Sequence, residues 1–172
     1  MSKLFLMMGA PGSGKSTWIK KQLKDNDYYI SRDEIRFDII GDEEDYFSHE
    51  VEVFDRFINE INNALIKPNA RVFADASHLN KTSRMKLINR ISSNPEEINV
   101  IWLRTPLMTC YERNNNRTGR AFVPKHVIKS MYDSIQEPSA NEGINKVYIV
   151  DNKTQELKIL VLGGKNEEGF KF

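Results

Sequence analysis

Apolar residues follow two rhythms along this chain. Short, largely apolar runs occur at 3–8 (K-L-F-L-M-M), 28–31, 71–77, 99–103, 146–150 and 157–162. Runs of this length, bounded by glycine, proline and polar residues, predict buried strands. Between them apolar residues recur every three or four positions, which predicts amphipathic helices over 16–24, 46–66, 81–92, 107–115 and 125–135. The longest carries a stripe of Val51, Phe54, Ile58, Ile61 and Leu65, with His49 off the stripe at the surface. Lys67-Pro68-Asn69 stops it, since proline cannot continue a helix. Pro124 opens the last helix, where Val127, Ile128, Met131 and Ile135 make the apolar side. Either Asn80 or Thr82 suits the cap of the helix over 81–92, and Arg84, one turn in, faces either solvent or substrate. Residues 163–172 read as a frayed tail. Strands alternating with helices predict an α/β fold with a mostly parallel sheet sandwiched by helices.

The junction between the first strand and the first helix carries the strongest chemistry. Gly9-Ala10-Pro11-Gly12-Ser13-Gly14-Lys15-Ser16-Thr17 fits G-x-x-x-x-G-K-[ST], the P-loop pattern, in its strand–loop–helix context. Glycines at 9, 12 and 14 let the loop fold around an anion. Its amide groups then point at a phosphate, with the positive end of the helix dipole behind them. Lys15 supplies a cation for the β- and γ-phosphates, and Ser16 a hydroxyl for Mg²⁺. The expected nucleotide-binding set is Gly12, Ser13, Gly14, Lys15, Ser16 and Thr17, for ATP or another nucleoside triphosphate.

Length and composition narrow the class. The chain has 172 residues, 40% hydrophobic and 28% charged, which fits one globular domain over 1–172. No apolar run of about 18 residues is present, so no membrane-spanning helix is expected. The chain enters its first strand at once, without a signal peptide pattern. Cys110 is the single cysteine, which suits a reducing cytoplasm, and a lone cysteine on a helix reads as a small core residue. A net charge of +1 conceals an asymmetry. Residues 1–24 hold five lysines and no acids, residues 25–60 hold three arginines and thirteen acids, and residues 71–135 hold eleven basic residues and five acids. Positive charge near the P-loop suits a polyanionic substrate; solvated faces are the plainer account. The exposed side of the long helix is available for a homo-oligomer.

Three further stretches surround the P-loop. Asp33 and Arg36, in Arg32-Asp33-Glu34-Ile35-Arg36, follow a strand whose carboxyl end faces the phosphate site. Three apart on a helix they share a face, and a carboxylate there can take the proton of an attacking hydroxyl. Helix capping by Ser31 or Asp33 fits the same residues. Asp75 ends a strand, which matches an acid contacting Mg²⁺ or the Ser16 hydroxyl; a turn aspartate is the alternative. Residues 114–123 hold asparagines, a glycine and arginines, the composition of a lid, and with Arg113 before them they offer Arg113, Arg117 and Arg120 to a triphosphate.

Taken together these stretches resemble the 5′-kinase domain of phage-type polynucleotide kinases, within a wider group of small P-loop kinases. The matching segments are G-A-P-G-S-G-K-S-T-W at 9–18, S-R-D-E-I-R at 31–36, D-A-S-H-L-N at 75–80 and R-N-N-N-R-T-G-R-A-F-V-P-K-H-V-I-K-S-M-Y at 113–132. The resemblance covers the chain to about residue 135. It implies ATP-dependent transfer of the γ-phosphate to 5′-hydroxyl ends of DNA or RNA. It implies Asp33 as general base, Arg36 as a grip on the acceptor's neighbouring phosphate and Arg117 as the lid arginine, with Arg113 or Arg120 assisting. Asp75 matches the family's strand-end acid, with Ser16 as the other Mg²⁺ residue. His78 stands on the acceptor side, where the family usually has asparagine. No 3′-phosphatase activity is expected, since Asp151 has no D-x-D partner. A kinase for a small hydroxyl acceptor is the alternative reading.

Overall fold

The computed structural model describes residues 1–42, 44–151, 153–154 and 156–162. The tail expected over 163–172 lies outside them. One six-stranded sheet organises the chain. Its strands are β1 (Lys3–Met8), β2 (Asp27–Ser31), β3 (Arg71–Asp75), β4 (Glu97–Arg104), β5 (Lys146–Asp151) and β6 (Leu157–Val161), in the spatial order β2-β3-β1-β4-β5-β6. The first five run parallel, and β6 closes one edge antiparallel to β5. The central strands read as continuous apolar runs because both faces are covered. Leu4, Leu6 and Met8 point to one face, Phe5 and Met7 to the other, and all five are buried.

The helices are α1 (Lys15–Lys20), α2 (Arg32–Ile39), α3 (Glu50–Leu65), α4 (Lys81–Ile88), α5 (Leu107–Asn115) and α6 (Lys125–Asp133). Several are shorter than their periodicity predicts. Residues 46–49 form turns, so the long helix begins at Glu50. Its buried face is also rotated. Val53, Phe57 and Ala64 join Phe54, Ile58, Ile61 and Leu65 in the core, while Val51 is 78% exposed. With Val53, Phe57 and Ala64 included, the centre of the stripe lies about a quarter-turn from Val51. Ser31 caps α2 by accepting from the Glu34 amide, and Asn80 caps α4 in a reciprocal pair with Ser83.

Arg84 faces neither solvent nor substrate. It is fully buried, with Nε and Nη2 donating to Glu142 at 2.6 and 2.9 Å and Nη1 donating to the Gln136 carbonyl at 2.9 Å. A buried guanidinium persists only with such a set of acceptors. The pair ties α4 to the 3-10 turn at Ala140–Glu142 and to the segment leaving α6. Cys110 is buried with Ala10 and Ile128 in a small cluster beneath the P-loop.

Candidate active site at the carboxyl ends of the parallel strands

Parallel register brings three chain segments to one edge of the sheet. Met7 and Ser31 both lie level with Asp75, so the P-loop, the start of α2 and the end of β3 meet there. The P-loop turns tightly. Gly12 and Gly14 take φ of +82° and +93°, left-handed values that side chains rarely adopt. A Cβ on Gly12 would meet the Cys110 carbonyl oxygen at 2.5 Å, so α5 packs against the loop's backbone. Behind the loop, Thr105 Oγ1 donates to the Ser13 carbonyl at 2.9 Å and Arg113 Nη1 donates to the same oxygen at 3.2 Å. Arg113 therefore braces the loop from outside. Thr17 is exposed on the first turn of α1.

Lys15 Nζ donates to the Gly9 carbonyl at 2.7 Å and the Ala10 carbonyl at 3.3 Å. Burial pushes its pKa down, opposed by the charges of Asp75 and Asp33 and aided by Arg117. One ammonium thus lies within electrostatic reach of both candidate acids and of Arg117. Arg117 is exposed and its backbone amide bonds the Asn114 carbonyl at 3.0 Å. The loop it sits on is closed at its base by Asn114, whose side chain bonds the Val123 carbonyl at 2.7 Å and amide at 3.0 Å. Arg120 turns the other way. It pairs with Asp42 and lies over the Phe37 ring at 5.4 Å, which bridges the loop after α5 to α2 and the segment after it.

Ser16 Oγ donates to Asp75 Oδ2 at 2.6 Å, and Tyr29 Oη donates to the same oxygen at 2.5 Å. Burial, with the Asp75 charge and bond, pushes the Tyr29 phenol upward, so it stays a donor. Two hard oxygen ligands this close fit a cation that keeps most of its waters, as Mg²⁺ does. Ser16 and Asp75 would hold it, and it would supply charge neutralisation at the β- and γ-phosphate oxygens.

On the acceptor side, Asp33 is the exposed end of a network. Its Oδ1 accepts from Arg36 Nη1 at 2.6 Å and from Tyr46 Oη at 2.7 Å. Arg36 Nη2 donates to both Glu50 oxygens, at 2.7 and 3.0 Å, and Arg32 Nη2 joins Glu50 at 2.7 Å. The Arg36 guanidinium also lies 4.2 Å from the Tyr46 ring centroid. The resemblance implies a phosphate contact for Arg36; the structure gives that buried guanidinium two carboxylates and a tyrosine. His78 is buried at 5% exposure, with Nδ1 2.9 Å from the Met7 carbonyl and its ring stacked on Phe57. It packs inside, below the opening. Tyr29, Tyr46 and Glu50 were not singled out from the sequence. The one signal for them is that an acid and an arginine on one helix turn need further partners once the arginine is buried.

Among solved structures, a chain of the Pnkp1/Rnl/Hen1 RNA repair complex is similar at 25% identity and a TM-score of 0.59, over 77% of this chain and 43% of that one. This chain therefore spans under half the length of that relative. A sugar kinase from Janibacter sp. HTCC2649 aligns at 16% identity and a TM-score of 0.57, covering 89% of this chain and 87% of that one. Chaetomium thermophilum Kti12 in complex with ADP-AlF3 aligns at 14% identity and a TM-score of 0.60, covering 88% and 92%. The last two share the fold. The family described as an AAA domain (AAA_33) matches residues 4–138, most of the chain, and with its P-loop and parallel sheet the chain belongs to that family.

Proposed function

We propose that this chain is a polynucleotide 5′-hydroxyl kinase, one domain that transfers the γ-phosphate of ATP or another nucleoside triphosphate to 5′ ends of DNA or RNA. The observation that carries this reading is the meeting of the P-loop with two carboxylates at one edge of the sheet: Ser16 donates to Asp75 at 2.6 Å, and Ser31, which caps the helix bearing Asp33, lies level with Asp75. The P-loop backbone from Gly12 to Thr17 cradles the triphosphate, and Lys15 turns from its loop carbonyls to the β- and γ-oxygens. Asp33 takes the proton as the 5′ oxygen bonds to the γ-phosphorus and the bond to the β,γ-bridging oxygen breaks, releasing the diphosphate. Arg117 answers the charge that builds on the transferring group, and the loop at about 114–123 acts as the lid. Arg36 holds Asp33 in place. The similarity to a chain of an RNA repair complex supports a nucleic-acid acceptor.

The test is transfer of radiolabelled γ-phosphate to 5′-hydroxyl oligonucleotides of both sugars, against a 5′-phosphorylated control. Labelling of the hydroxyl ends alone is expected. Labelling of neither overturns the proposal.

One observation favours a second reading, a kinase for a small hydroxyl acceptor. The Arg36 guanidinium is already neutralised by Asp33 and Glu50, which a neutral acceptor would require. A free nucleoside or sugar phosphorylated faster than any oligonucleotide would select it.

A further inference from the structure

The loop between α5 and α6 is fastened at its far turn to the helix that bears Asp33. Every residue from 115 to 122 is exposed, so packing does not hold this loop in place. Asn114 closes its base on Val123. At the far turn, the 3-10 stretch Gly119–Ala121, Arg120 Nη2 donates to Asp42 Oδ1 and the guanidinium lies 5.4 Å from the Phe37 ring centroid. Both contacts fall on the acceptor side. Phe37 stands four residues after Asp33 on α2, which puts the two on one face. Phe37 also meets the Tyr46 ring at 6.2 Å, and Tyr46 bonds Asp33 at 2.7 Å. Asp42 is 92% exposed, yet the turn that carries it is braced. One Glu44 oxygen accepts from the Gly41 amide at 2.5 Å, and the other lies 3.1 Å from His49 Nε2 at the start of α3.

The same loop reaches the donor side. Arg117, three residues before Arg120, lies within electrostatic reach of Lys15. Three residues of chain span at most about 10 Å, so fixing Arg120 limits where Arg117 can go. The fastening is also of a useful strength. An exposed ion pair shifts an equilibrium by up to about five-fold, and a cation over a half-buried ring adds about two- to five-fold. Together they favour the fastened loop by about ten-fold, enough to bias it and too little to stop substrates from opening it. We propose that Arg120 is a positioning residue, a latch that holds the lid onto α2 through Asp42 and Phe37 and thereby keeps Arg117 over the transferring phosphate. This rests on the kinase reading above and adds how its lid is held: by the acceptor helix and the turn after it, before either substrate binds.

The test uses the full chain and the variant Asp42→Asn, which leaves every tryptic site of the lid in place. Without ligands, trypsin cuts after Arg117 only when the loop opens, so the rate of that cut reads the open population. Asp42→Asn is expected to speed the cut about five-fold and to lower kcat for γ-phosphate transfer by about the same factor, with the KM for ATP unchanged. Asp42→Glu keeps the charge and stays near the wild type on both readouts. Arg120→Met loses both contacts and reaches about ten-fold, and adding Asp42→Asn to it changes nothing more. Unchanged cleavage in Asp42→Asn and Arg120→Met overturns the latch and leaves the kinase reading standing. Faster cleavage with an unchanged kcat overturns the positioning role. A higher kcat in Asp42→Asn overturns it too, since Asp42 would then compete for Arg120 instead of placing it. If the wild type labels no acceptor, the kinase reading falls and the positioning role with it, whatever the cleavage shows.

Discussion

Arg36 Nη1 donates to Asp33 Oδ1 at 2.6 Å, joining a side chain that is 5% exposed to one that is 64% exposed. One partner is fixed in the protein, and the other projects to where an acceptor would arrive. Among the described residues, the side chains that bond Asp33, those of Arg36 and Tyr46, both meet Oδ1, and Oδ2 is the oxygen that would meet a hydroxyl. Asp33→Asn keeps the shape and removes the base. Phosphate transfer is expected to fall by about 10²–10⁴-fold, the usual worth of general base catalysis, while ATP affinity is retained. Steady-state kinetics beside equilibrium ATP binding measure both. Undiminished transfer would remove Asp33 from the mechanism.

Tyr46 and Arg36 act on the reaction through Asp33. Tyr46→Phe deletes one hydroxyl from that oxygen and leaves the ring against Phe47. A neutral hydrogen bond is worth about 1 kcal/mol, so kcat is expected to fall roughly five-fold with little change in the KM for ATP. Arg36→Lys cannot bridge Asp33 and Glu50 with one planar fork, and a larger loss in kcat is expected. In the Asp33→Asn background Tyr46→Phe should cost nothing further. Additive losses would mean that the tyrosine works elsewhere.

Asp75 Oδ2 receives two hydroxyls, from Ser16 at 2.6 Å and Tyr29 at 2.5 Å. Tyr29 comes from β2 and would act on a bound cation only through Asp75. Partners of that kind typically affect metal affinity by about 10–100-fold. Tyr29→Phe is therefore expected to raise the Mg²⁺ concentration needed for half-maximal ATP binding by at least about ten-fold. ATP affinity without Mg²⁺ should not change. Titrating ATP binding against Mg²⁺ reads this without turnover. An unchanged Mg²⁺ dependence would make the Tyr29 bond purely structural.

The parts of the site visible in the sequence are those set by local backbone. The P-loop follows from the spacing of Gly9, Gly12, Gly14 and Lys15, because the loop's shape depends on residues within a few positions. The α/β alternation follows from periodicity. What failed was set by distant partners. Arg84 had two open readings because its fate depends on Glu142, 58 residues away. Tyr29 meets Asp75 across 46 residues, and Tyr46 was absorbed into a helix that in fact starts at Glu50. Arg120 belongs by composition to the lid, yet Asp42, 78 residues earlier, holds it.

The Arg84–Glu142 pair ties α4 to the segment that follows α6. Removing one charge leaves the other buried alone. Glu142→Gln is expected to cost about 3–5 kcal/mol in urea unfolding. Arg84→Met combined with Glu142→Leu removes both charges and should restore most of that loss. A double variant as unstable as the single would place the cost in packing instead of charge.

His78 gives the fold a pH dependence of known sign. Burial pushes its pKa from 6.5 to about 4, against the Met7 carbonyl bond and the Asp75 charge. Above about pH 6.5 the ring is neutral in both folded and unfolded chains, and the native state loses nothing. Between 6.5 and 4 the unfolded chain takes up a proton that the folded chain does not. Stability from this group therefore falls across that window as pH drops, by up to about 3 kcal/mol at pH 4. His78 has φ of +44°, a left-handed conformation that asparagine tolerates. His78→Asn is thus the variant that keeps the backbone and removes the titration. Its Tm should decline less than that of the wild type from pH 7 to 4, with the other acid-sensitive groups cancelling in the comparison. Parallel Tm curves for the two proteins would show that the buried imidazole does not set the acid limit of the fold.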